Sequence, residues 1–153
     1  MKKYNSEADT RKHMKRVQDL LSEAATELLK RGMEHDLSKL GPEEKPLFDK
    51  LTPILKDLKY GSPEYQDSLD QLKPSLDHHY KMNTHHPQHY ENGIDGFDLF
   101  DLIEMFFDWK AATERSADGD ISKSIRFNKD RFGMSEQLVN VYMNTARRLG
   151  YVK

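Results

Sequence analysis

The chain has 153 residues, enough for one compact domain with a genuine core. Its 24 basic and 26 acidic residues leave a formal charge of -2, which gives no electrostatic footprint for a nucleic-acid polymer or an anionic membrane. The chain has no cysteine, so disulfides, thiolate metal sites and cysteine nucleophiles are excluded, and His, Asp and Glu are the strong ligands left.

The N-terminal stretch MKKYNSEADTRKHMKR has no apolar signal region, and no apolar run approaches the ~18 residues of a membrane span. The expectation is a cytoplasmic protein. Apolar residues recur at three- and four-residue steps from about Asp9 to Arg31 (Val17, Leu20, Leu21, Ala24, Leu28, Leu29), which predicts an amphipathic helix stopped by Gly32. His13, one turn before Val17, falls on the apolar stripe, where a hydrogen-bonded core histidine is the plainer alternative to a ligand.

His35-Asp36 follows that helix. An imidazole beside a carboxylate suits one hard or borderline cation, although the dipeptide alone is a weak signal. Gly41-Pro42 and Pro46 punctuate the next stretch, and Leu47 to Leu58 predicts a helix kinked or broken near Pro53. Gly61-Ser62-Pro63 closes it and opens another helix, with Ser62 as N-cap, Pro63 at the first position and Pro74 bending or dividing it before Met82.

All seven histidines fall in the first 89 residues, and five of them crowd into HHYKMNTHHPQHY, from His78 to His89. A surface metal-scavenging tract would have the same composition. His79, Asn83 and His86 are spaced i, i+4 and i+7, although Pro87 argues that the helix ends before the last of them. An Asn- and Gly-containing loop, Glu91 to Gly96, leads into GFDLFDLIEMFFDWKAATER, the most apolar segment and a predicted buried helix. Asp101, Glu104 and Asp108 share one face of it, and carboxylates on so apolar a helix must either reach water or meet cations. Ser116 to Asp120 form a loop, after which helices are predicted over Ile121 to Phe132 and Ser135 to Leu149, the second capped by Ser135. No β-alternation appears. The fold class expected is all-α, a single domain over 1–153 with about six to seven helices.

The string RGMEHDLSKLG resembles the HD motif of the HD-domain metal-dependent phosphohydrolases, in which His-Asp is followed by a small or polar residue and Lys. That resemblance implies a compact HD-like bundle in which His13, His35, Asp36 and Asp101 hold a divalent metal. Members with more metals carry extra histidines between the HD pair and the last Asp, and His79 and His86 are the choices here for a second metal or a substrate phosphate. More narrowly, HDLSK, NTHHPQHY and DLIEMFFDWKAAT look like a bacterial and phage family of small proteins of unknown function.

The resemblance implies a phosphohydrolase, a nucleotidase or small phosphodiesterase, that attacks a nucleotide or other small phosphate ester with metal-activated water. Asp36, Lys39 and Glu104 are assigned to the chemistry. Substrate contacts are assigned to Lys81, Asn83, His85, His89, Asp108, Arg115 and Lys123, with Arg126 as a further cation. The ligand types suit Mn, Fe, Co, Ni, Zn or Mg as one or two ions. An HD-fold di-iron oxygenase and a non-catalytic metal- or nucleotide-binding module are the rival functions, and an oligomer is compatible with either.

Overall fold

The computed structural model describes residues 4–58, 62–115 and 117–152. Among them the chain is all-helical, with six α-helices and three short 3₁₀ turns. The helices are α1 (Glu7–Glu34), α2 (Lys45–Asp57), α3 (Pro63–Met82), α4 (Leu99–Thr113), α5 (Ile121–Phe132) and α6 (Glu136–Arg148). No helix among the described residues is long and apolar enough to cross a membrane. The chain divides into two units, 1–35 and 36–153.

The first unit is α1. Asn5 Oδ1 accepts from the Glu7 amide at 3.0 Å, and Glu7 and Asp9 place negative charge at the positive end of the helix dipole. Pairs one turn apart, Arg11 with Glu7 and Lys15 with Asp19, line its polar side and add about 0.3–0.5 kcal/mol each. Gly32 does not stop the helix, contrary to expectation: it lies inside the last turn, and His35 is the C-cap. Gly costs about 1 kcal/mol within a helix, too little to end one with 25 residues already in place before it. Described by itself, α1 has no buried residue, and His13 is exposed on it.

The second unit opens on Asp36, the one non-glycine residue with positive φ (58°) among those described. Asp tolerates this left-handed conformation better than most residues. The tight reversal it makes leads directly into the 3₁₀ turn Leu37–Leu40, where the Lys39 amide donates to the Asp36 carbonyl at 2.9 Å.

Both interior prolines are absorbed without interrupting a helix. α2 runs through Pro53 and α3 through Pro74, so of the expected break or kink at the first and bend or division at the second, neither the break nor the division occurs. In each case the carbonyl that loses its donor belongs to an exposed residue, Asp49 and Asp70, where water can replace the missing amide. Ser62 caps α3 as expected, accepting from the Tyr65 amide at 3.2 Å, while Gly61 and Ser116 lie outside the described residues.

α2 packs on α3, and Ser75 Oγ of α3 donates to the Glu43 carbonyl at 3.1 Å, tying α3 to the start of α2. The main core lies between α4, α5 and α6: Met105 and Phe106, Ile121 and Ile125, then Met134, Val139, Tyr142 and Ala146. Each large side chain removed from water there contributes about 1.5–3 kcal/mol. Tyr142 sends its hydroxyl to the Leu102 carbonyl at 2.7 Å, and burial holds its pKa far above the ordinary phenol value. Gly133 (φ 62°) ends α5 in the left-handed region, and the Met134 amide returns to the Lys129 carbonyl at 3.0 Å, which turns Met134 into the core. α4 is less enclosed than its composition suggests, because Leu99 and Phe107 are exposed.

Candidate metal centre

The second unit gathers Asp36, His79, His85 and His86, one ligand atom from each, all within 4.8 Å of one another. Asp36 comes from the reversal before the first 3₁₀ turn, His79 from the last turn of α3, and His85 and His86 from the loop that follows. Asn83 ends α3. Its side-chain amide donates to the His79 carbonyl and to Ser38 Oγ, both at 2.8 Å, joining the α3 end to the Leu37–Leu40 turn beside Asp36. The loop is anchored from the other side by Thr84, whose hydroxyl donates to Asp101 Oδ1 at 2.6 Å.

Two of the three imidazoles, His79 and His85, are oriented by carboxylates behind them. Glu44, fully buried, spans two histidines: Oε2 lies 3.0 Å from His79 Nδ1 and Oε1 lies 2.8 Å from His78 Nδ1. Glu104 Oε1 lies 2.9 Å from His85 Nδ1. An ionised carboxylate only accepts, so both contacts place a proton on Nδ1 and turn Nε2 inward, where the neutral ring offers its lone pair. Inward is where the carboxylate of Asp36 lies: Oδ1 is 3.2 Å from His79 Nε2 and 3.6 Å from His85 Nε2. His86 Nε2 is 2.8 Å from His79 Nε2, a separation that needs an electropositive atom between the two nitrogens. Burial, and then the neighbouring His85 and His79, depress the His86 pKa to about 3 against the pull of Asp108 and Asp36, so the ring is neutral at pH 7.

A set of three imidazoles and one carboxylate, with further carboxylates behind two of the rings, has the chemistry of a divalent-metal site for borderline ions. The residues present therefore fit a metal.

A family described as of unknown function, DUF5662, matches residues 2–148. The chain belongs to DUF5662. No curated protein and no solved structure matches it.

In this member of DUF5662 the expected site residues separate into groups. Asp36, His79 and His86 come together as ligand candidates, while His13 and His35 belong to the first unit. Asp101, expected as a ligand, is not brought into this cluster. It is fully buried, but its oxygens accept from Thr84 (2.6 Å), Tyr90 (2.9 Å) and the Asp98 amide (3.2 Å), and it completes the capping box of α4. The expected inward carboxylate face of α4 is present; Asp101 and Glu104 use it to hold the histidine loop.

His85, assigned to substrate, stands inside the cluster instead. Glu104, assigned to the chemistry, bonds His85, and Asn83, assigned to substrate, braces the α3 end. His89 turns away, its Nδ1 donating to the Tyr80 carbonyl at 3.0 Å. Lys39 lies 2.5 Å from Asp36 Oδ2, at the edge of the cluster. Lys81, Arg115, Lys123 and Arg126 are exposed, and Asp108 borders a cavity that His86 also lines. The residue that sequence reasoning missed altogether is Glu44. It sits in the polar string Gly41-Pro42-Glu43-Glu44-Lys45, which reads as a solvated turn, and no local periodicity marks it for burial.

Proposed function

We propose that this chain is a metal-dependent phosphohydrolase acting on a nucleotide or another small phosphate ester. The observation that carries the proposal is the convergence of His79, His85 and His86 on Asp36 with Glu44 and Glu104 behind the rings. The His-Asp-x-x-Lys string supports it independently, and the near-neutral net charge favours a small substrate over a polymer.

Asp36, His79, His85 and His86 would hold the ion. A bound divalent ion supplies a water acidified to a pKa of about 7 and neutralises phosphate oxygens. The remaining work belongs to the chain. Glu44 and Glu104 keep His79 and His85 in the Nδ1–H tautomer, so that neither ring has to reorganise on binding. His86 stays neutral through burial and keeps a lone pair at physiological pH. Lys39, paired with Asp36, brings a cation to the rim, where it offsets the charge of an arriving phosphate.

The test is elemental analysis of protein purified without chelator or nickel affinity resin, followed by a screen of nucleotides and generic phosphate esters with each divalent ion. Stoichiometric metal that disappears in Asp36→Ala, with phosphate release that disappears alongside it, is the expected result. Protein that retains no metal after reconstitution, or holds metal and releases no phosphate from any ester, overturns the proposal.

A further inference from the structure

His86 has a second surroundings besides the cluster. It lines an open cavity of about 390 Å³ bordered by the α3 end, the Pro87–Gln88 turn, α4 and α5. The size suits one ring system and not a polymer. One side is aromatic: Trp109 and Phe132 both line the cavity, their rings parallel to within 9° with centroids 6.2 Å apart, and the Arg131 guanidinium, also lining it, lies over the Phe132 ring at 4.7 Å from its centre. Another wall is polar. Asn128 is 7% exposed, and its Nδ2 donates to the Ser124 carbonyl at 3.1 Å, which leaves Oδ1 to accept. The carboxylate of Asp108 lines the cavity as well.

Aromatic faces recognise planar rings by stacking, and an amide oxygen and a carboxylate lining the same cavity recognise donors. We propose that this cavity is a specificity subsite for a planar heteroaromatic ring bearing an amino group, such as an amino-substituted nucleobase, resting on the phosphohydrolase reading for the phosphate held at the neighbouring cluster. His86 joins the two, with its Nε2 in the cluster and its ring against the cavity. Asn128 discriminates because a ring that buries Oδ1 without offering it a donor leaves a desolvated acceptor unsatisfied.

Trp109 is the one tryptophan in the chain, so its fluorescence reports directly on this wall. The experiment titrates the full-length, metal-free protein with adenosine, with purine riboside (the same nucleoside without its amino group) and with ribose 5-phosphate. Saturable quenching by adenosine, at least tenfold weaker binding of purine riboside and no quenching by ribose 5-phosphate are expected. Asn128→Leu should bring the two nucleosides within twofold of each other, whereas Asn128→Asp, which keeps an acceptor in place, should retain the preference; circular dichroism checks that both variants fold. Equal binding of the two nucleosides, or no quenching by either, overturns the subsite. Because no metal or turnover enters this assay, the two proposals fail separately. Nucleoside binding without phosphate release from any ester leaves the subsite standing and sinks the hydrolase, while hydrolysis indifferent to the organic half of the ester does the reverse.

Discussion

Glu44 shows how much one side chain can decide at the residue scale. A fully buried carboxylate costs several kcal/mol unless it is compensated, and here two imidazoles compensate it. Glu44→Gln preserves the shape but removes the charge that fixes the tautomer of His79. Metal affinity should fall about 10–100-fold in this variant, measured by competition with a chromogenic chelator, while helix content by circular dichroism stays unchanged. His86 sets a pH dependence at the same scale. Its pKa is depressed to about 3 in the folded chain, so between the ordinary imidazole value of about 6.5 and 3 the unfolded chain binds the additional proton. Stability of the metal-free protein should therefore decline as pH falls through that window, and His86→Gln should flatten the decline in urea unfolding recorded at successive pH values. An unaltered slope would place the acid sensitivity elsewhere.

Elements make their own demands. The first turn of α4 is held by Asp98, which accepts from the Phe100 and Asp101 amides at 2.8 and 2.9 Å, and by Asp101, which answers to the Asp98 amide and also takes the Thr84 and Tyr90 hydroxyls. Asp101→Asn should destabilise the chain by about 1–3 kcal/mol in chemical denaturation, because one oxygen acceptor becomes a donor facing hydroxyls. Metal stoichiometry should survive in that variant, whereas a ligand role for Asp101 would abolish it. Pro74 makes the opposite case. It sits on an exposed face of α3 and deprives the Asp70 carbonyl of its amide, so Pro74→Ala should stabilise the chain by about 1–3 kcal/mol, seen as a raised urea midpoint with an unchanged slope. Tyr90 completes the loop between these elements: a Cβ at Gly96 would come within 2.6 Å of its ring, so Gly96 is what lets Tyr90 lie flat enough to reach Asp101.

For the whole molecule, the second unit separates labour between two parts. The apolar core of α4, α5 and α6 carries the burial, and the polar cluster at the ends of α2 and α3 and the loop after α3 carries the candidate chemistry. The proposed metal would therefore add to a fold that has its own core. The melting temperature should rise with added divalent ion, by an amount corresponding to about 2.7 kcal/mol at one hundred times the dissociation constant, and Asp36→Ala should show no such rise in differential scanning calorimetry. A metal-free chain with no cooperative transition would instead mean that the site nucleates the fold.

Periodicity and capping made the helices legible. α5 falls on the residues its pattern marks, and Ser62 and Ser135 cap where their side chains reach the third following amide, because these are local effects. Composition limited the donor set to nitrogen and oxygen, and the crowding of histidines between His78 and His89 marked the segment that supplies three of the four candidate ligands. The tertiary structure decided the roles. Asp101 became an anchor because Thr84 and Tyr90 reach it first, His85 joined the cluster because Glu104 turns its ring, and Glu44 was buried because α3 packs over the start of α2. Local spacing determines which face of a helix a side chain occupies, whereas ligation depends on where separate segments bring their atoms together, and that is settled only when the segments pack.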